Sequence, residues 1–211
     1  MINEINSKSF ENIDNKNQFN PDKRMEINKD ETDNIASFNP DKRLEKNDYF
    51  STYNERIAQT PKEGWDGKRG ESLCRSNNEE VNNELSKFGQ DGVSYKNGLA
   101  DVGFKKCSVE KVDIDMTERR YGPNGNMEKA RTALANKWND QKKDGRIDWN
   151  AREVHKYQQE NKLVIHECAN RRTCYLMPIV IHEEFSHLGG VSECKKVNEK
   201  LGIRKEVKFD E

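Results

Sequence analysis

No stretch of the 211 residues approaches about 18 consecutive apolar positions, which excludes a membrane-spanning helix. The opening MINEINSKSF lacks the apolar run of a secretory signal. The expectation is a cytosolic protein, or one that leaves the cell by a route these residues do not encode. Apolar residues are scarce as well: 32% are hydrophobic and 36% are charged, so the whole length cannot fill one core. Cysteine is neither absent nor paired. Five thiols at irregular spacing, Cys74, Cys107, Cys168, Cys174 and Cys194, argue against a disulfide framework, and they are expected to be reduced.

Charge is balanced overall at −1 but unevenly distributed. Residues 1–115 hold 18 Lys/Arg against 23 Asp/Glu, and residues 116–211 hold 19 against 15. The mildly basic second half suits a polyanionic partner. Residues 1–48 are rich in Asn, Asp and Lys, carry almost no apolar pattern, and read as a disordered linker. FNPDKRME at 19–26 returns as FNPDKRLE at 38–45. Two copies are too few for a solenoid, so the repeat reads as a duplicated linker segment in what looks like the stub of a longer chain.

Residues 49–115 read as a small α/β segment. WDGKRGES at 65–72 is a polar loop, and Asn77 or Asn78 can cap a helix through Val81, Leu85 and Phe88 that Gly89 ends. Asn97-Gly98 predicts a β-hairpin over 91–102. Val109–Met116 alternates as a further strand, with Asp113 and Asp115 outward. Beyond it, Met127, Ala130, Leu134 and Trp138 give 126–142 one apolar helical face. Asn150 and Glu153 form a capping pattern for a second helix to Asn161.

The most informative stretch is Leu163–Gly190, which holds three of the four histidines, His166, His182 and His187. Leu-Val-Ile leading into His166 predicts a short buried strand, and Cys174–Met177 a second one that Pro178 stops. A helix is expected over 179–188, with Gly189-Gly190 as its left-handed exit. His182 and His187 are five positions apart, about 140° on an ideal helix, which is loose for joint ligation unless the helix ends between them. The fourth histidine, His155, has no partner at useful spacing and reads as structural or exposed.

These residues resemble the HNH/endonuclease VII superfamily of ββα-metal nucleases, in the toxin subgroups named for histidine triads such as LHH and WHH. The resemblance rests on His166-Glu167 at the hairpin, Leu176-Met177-Pro178 at the strand end, and His182 through Gly190, which repeats the His-x4-His-Gly-Gly pattern. Trp65–Ser72, Tyr95–Gly98 and Met116-Thr117 are similar to the segment preceding such modules in bacterial polymorphic toxins. There the usual Asp-Phe-Ser is replaced by Asp101-Val102-Gly103-Phe104. Together the likeness spans about residues 60–197.

Composition, pattern and resemblance together lead to the expectation of an α+β protein: a disordered stub (1–48), a small α/β segment (49–115) and an HNH-type nuclease domain (116–211) with a ββα-metal module packed against helices. The resemblance implies hydrolysis of phosphodiester bonds, DNA favoured over RNA, with a divalent ion (Mg, Mn, Ni or Zn) held by His182 and His187 and water activated by His166. Superfamily members place a metal ligand just before the base, where this chain has Ile165, and Glu167 follows instead. Either Glu167 supplies an extra ligand, or His166 ligates and Glu167 is the base. Arg119, Arg120, Arg171 and Arg172 are candidate phosphate contacts, since guanidinium binds phosphate in bidentate fashion. The resemblance further implies a toxin delivered into a target cell as the tip of a larger protein, with a cognate immunity protein as partner. The competing reading is a non-catalytic zinc module that binds nucleic acid through Cys168, Cys174, His182 and His187 (C-x5-C-x7-H-x4-H), although a finger normally has a longer gap between its pairs.

Overall fold

The computed structural model describes residues 49–202, so the expectations for 1–48 lie outside them. The fold is α+β. Its centre is an antiparallel hairpin built from two short apolar runs, Leu163–Glu167 and Thr173–Pro178. In chain order the elements are α1 (Tyr53–Ala58), β1 (Leu73–Cys74), α2 (Glu79–Ser86), β2 (Val93–Ser94), α3 (Asp101–Lys106), β3 (Glu110–Asp113), α4 (Asn126–Asp140), α5 (Ala151–Glu160), β4 (Leu163–Glu167), β5 (Thr173–Pro178), α6 (Ile179–Glu184) and α7 (Gly190–Lys200), with a 3₁₀ turn at Lys143–Gly145. β1 and β2 form a two-stranded ribbon, and β3-β5-β4 a three-stranded antiparallel sheet.

Register explains the layering. His166 stands opposite Tyr175 and Glu167 opposite Cys174. Because side chains alternate across a strand, Tyr175 and Met177 enter one core with Val81 and Leu85 of α2, Phe104 of α3 and Ile181 of α6. Cys174 and Leu176 enter the other with Ile165, Val112, and Ala130, Leu134 and Trp138 of α4. Each of the fully buried Leu and Ile side chains stabilises the fold by roughly 1.5–3 kcal/mol. Trp138 stacks edge-on against Trp149 and Tyr157, closing the α4–α5 side. Caps fall where the sequence places them: Asn78 Oδ1 accepts from Glu80 N, and Asn150 Oδ1 accepts from the N–H groups of Arg152 and Glu153. At the other end of the described chain, buried Glu193 of α7 accepts from Phe50 N–H at 2.8 Å and from the Ser51 hydroxyl.

The hairpin expected over 91–102 is half right. Asn97 and Gly98 both have positive φ, and Lys96 bridges Leu99 as in a two-residue turn. The returning strand is replaced by α3, which begins at Asp101. Ala100, Phe104 and Cys107 lie at helical spacing and are all buried, so burial favours the helix. Gly103 lets that helix lie on β2, because a Cβ there would stand 2.6 Å from Ser94 N. The helix expected over 179–188 is shorter, ending at Glu184, with Phe185 at φ −97, ψ 87. Beyond it the chain is held by other bonds: Ser186 O accepts from Tyr95 Oη at 2.9 Å and Phe185 O from the His187 ring at 2.8 Å. Gly189 is extended rather than left-handed and caps α7. Gly190 is needed for closeness instead, since a Cβ would meet Cys168 O at 2.4 Å. Nor does 115/116 divide two bodies. All described residues belong to one compact unit, and β3 from the first segment pairs with β5 from the second.

Candidate metal centre

Three imidazoles converge on the Tyr175 face of the sheet. His166 comes from β4, His182 from α6, and His187 from the extended chain that follows α6. One ring nitrogen from each lies within 4.8 Å of the other two. Ring centroids are separated by 4.7 Å (His166–His187), 4.9 Å (His182–His187) and 5.5 Å (His166–His182). The end of α6 at Glu184 makes this possible. An unbroken helix would have turned His187 well away from His182.

Phe104 forms the floor, within 4.8–5.7 Å of all three rings. His166 is 1% exposed. Its Nε2 lies 2.8 Å from Asp101 Oδ1, while Asp101 Oδ2 accepts from Ala169 N–H at 2.9 Å. The His187 ring is oriented from behind. Its Nδ1 faces a backbone carbonyl, which can only accept, so Nδ1 carries the proton and Nε2 offers a lone pair. Burial pushes His182 down to about 3, aided by the His187 and His166 rings and by Arg120. His187 is lowered too, again chiefly by burial. Both rings are therefore neutral at physiological pH, the form in which imidazole binds a cation. The His, Asp and Cys side chains gathered here form groups that could hold a metal ion: the three histidines, and Asp101, His166 and Cys168.

Other residues singled out from the sequence are distributed differently. Glu167 does not join the histidines, because strand alternation turns it to the opposite face. There it accepts from Asn126 Nδ2 at 2.7 Å and lies 3.2 Å from Arg120 Nε, an ion pair without hydrogen-bond alignment. Burial raises its pKa against the opposing pull of Asn126 and Arg120. Cys174 shares that face, packed under α4, whereas Cys168 packs on the histidine side, so Cys168, Cys174, His182 and His187 do not assemble into one ligand group among the described residues. All five cysteines are free and buried.

Of the four arginines, only the charge of Arg120 reaches the centre, as the smallest of the influences that lower the pKa of His182 and His187. Arg119 donates to Tyr121 O within its own loop. Arg171 lies over the Phe50 ring at 4.6 Å, and Arg172 pairs with Asp113 at 3.3 Å. His155 is exposed on α5. Asp101 and Phe104 are the site residues that sequence reasoning missed. The spacing of Ala100, Phe104 and Cys107 could have revealed the helix that carries them, but nothing local points to a contact 65 positions away.

No family model, curated protein or solved structure matches this chain.

Proposed function

We propose that this protein is a metal-dependent endonuclease of the ββα-metal type, acting on the phosphodiester bonds of nucleic acid, DNA in preference. One observation carries the reading: a histidine on a hairpin strand and two more on and behind the following helix bring one nitrogen each to within 4.8 Å of the others. A fold core has no need of three imidazoles in mutual contact, and two of them are held neutral chiefly by burial. His182 and His187 are the ion's ligands. An all-imidazole pair suits zinc, nickel or cobalt better than magnesium, which prefers oxygen.

When bound, such an ion stabilises the charge that develops on the phosphate and the leaving oxygen. His166 takes the proton of the attacking water, and Arg120 holds the phosphate from the side of α4. Glu167, on the other face, is neither base nor ligand in this scheme. The separation of Cys174 from the histidines favours the nuclease over a zinc finger. Delivery as the tip of a larger toxin and neutralisation by an immunity protein rest on the family resemblance alone. Among the described residues no helix is long and apolar enough to cross a membrane.

The test is a nicking assay on supercoiled plasmid with the full chain and Zn²⁺, Ni²⁺, Mn²⁺ or Mg²⁺ in turn. Nicking that EDTA abolishes and His182→Ala removes is the expected result. Plasmid surviving intact with every ion would end the nuclease reading.

A further inference from the structure

The contact between Asp101 and His166 has a chemical consequence for which nitrogen His166 presents. Asp101 lies at the start of α3, 65 residues before its partner, and its two oxygens do two jobs. Oδ2 accepts from the N–H of Ala169, a buried backbone donor in the turn of the hairpin. Oδ1 meets Nε2 of a ring that is almost fully enclosed. An ionised carboxylate can only accept. A neutral His166 ring must therefore carry its proton on Nε2 and leave the lone pair on Nδ1. The same short helix supplies Phe104, which limits how the three rings can rotate.

We infer that Asp101 is the positioning residue for His166: it fixes the Nε2–H tautomer, so that Nδ1 is the nitrogen that works at the centre. This rests on the nuclease reading for its meaning in catalysis, but the tautomer itself does not. It also makes α3, which lies outside the ββα module, a required part of the site.

Asparagine separates this role from a merely structural one. Its amide has one acceptor and one donor, whereas Asp101 accepts from both sides. Ala169 N–H cannot change, so the amide oxygen must face it and the NH₂ must face Nε2. The ring answers by moving its proton to Nδ1, which blocks the lone pair. Asp101→Ala removes the partner and lets the ring exchange between tautomers. The isosteric variant is thus expected to be the worse one: nicking falls ~10²–10⁴-fold in Asp101→Asn, the scale of a base in the wrong tautomer, and only about tenfold in Asp101→Ala. A structural role predicts the reverse order, because Asn preserves shape and Ala leaves a gap.

The direct readout is the ¹⁵N shift pair of the His166 ring in the metal-free full chain at pH 8, assigned with His166→Gln. The wild-type ring is expected as Nε2–H and the Asp101→Asn ring as Nδ1–H. A wild-type ring found as Nδ1–H, or protonated on both nitrogens, overturns the inference without any variant having to fold. So does an Asp101→Asn ring that stays Nε2–H. If no plasmid is cut under any condition, the shifts still decide the role of Asp101, and the failure belongs to the nuclease reading alone.

Discussion

His166 and Glu167 are chain neighbours that serve opposite faces of the same strand. On the His166 side, three imidazoles meet over Phe104 with a carboxylate behind one of them. On the Glu167 side, the carboxylate is closed in by Asn126 and Arg120 above the Trp138 core. Motif adjacency and site adjacency are therefore different things on a strand, where every second residue shares a face. A histidine-glutamate pair that looks like one catalytic unit in the sequence becomes two units, one with ring nitrogens within 4.8 Å of one another and one with its oxygens engaged. Arg120 links the faces, pairing with Glu167 while its charge reaches His182 and His187.

The sharpest way to break the comparison is to alter two groups on the histidine face and one on the other. His166→Ala is expected to keep metal binding while turnover falls ~10²–10⁴-fold, the contribution of a positioned general base. His187→Ala, on the same face, is expected to weaken metal affinity about 10- to 100-fold or more, with partial rescue of rate by added metal. Glu167→Gln, on the other face, should leave metal affinity unchanged and lower the rate by about tenfold at most, the scale of one weakened charged hydrogen bond. Titration calorimetry with Zn²⁺ or Ni²⁺, run beside the nicking assay, reads all three. If Glu167→Gln lost turnover as His166→Ala does, the two faces would be acting as one site and the division would be wrong.

The cysteines extend the comparison at smaller scale. Cys168 packs on the histidine face and Cys174 on the other. Replacing both with Ser should cost a few kcal/mol at most, about the price of two buried hydroxyls, and leave metal binding intact. Loss of metal together with loss of folding, followed by chelator titration and circular dichroism, would restore the zinc-finger assignment, in which metal binding is folding energy.

Much of this frame was legible because it is local. β4 and β5 show as short apolar runs, α4 in Met127, Ala130, Leu134 and Trp138, and α2 and α5 in their Asn caps. The three histidines were legible as a set. What was not legible depends on partners far along the chain. α3 is six residues long and contains Val102 and Gly103, so intrinsic preference hardly marks it, and packing on β2 secures it. The extended chain after α6 is held by Tyr95, 91 positions before the Ser186 carbonyl it binds. Asp101 reaches His166 across a comparable gap. The site's floor and its orienting carboxylate thus come from outside the motif that announces it.

The smallest effect expected lies on neither face and supplies the baseline against which the others are judged. Glu55 of α1 binds Lys196 of α7 at 2.6 Å, and that hydrogen bond, with those from Thr52, holds its carboxyl down at about 2. A carboxylate depressed on folding contributes stability that is present above its unfolded pKa and lost as pH falls through the folded value. Here the window runs from the ordinary carboxylate range near 4.5 down to about 2. The pair is solvent-exposed, so long side chains and salt screening leave it little net weight. Lys196→Met is therefore expected to lower Tm slightly at pH 6 in low salt, with the gap to wild type narrowing as pH drops below about 4.5 and as salt is added. Metal binding and nicking should not change, because no histidine of the centre is touched. A gap that widened on acidification would mean that Glu55 gains nothing from Lys196 in the folded chain. A change in metal affinity would mean that α7, through Gly190 and its contact with Cys168, transmits to the centre.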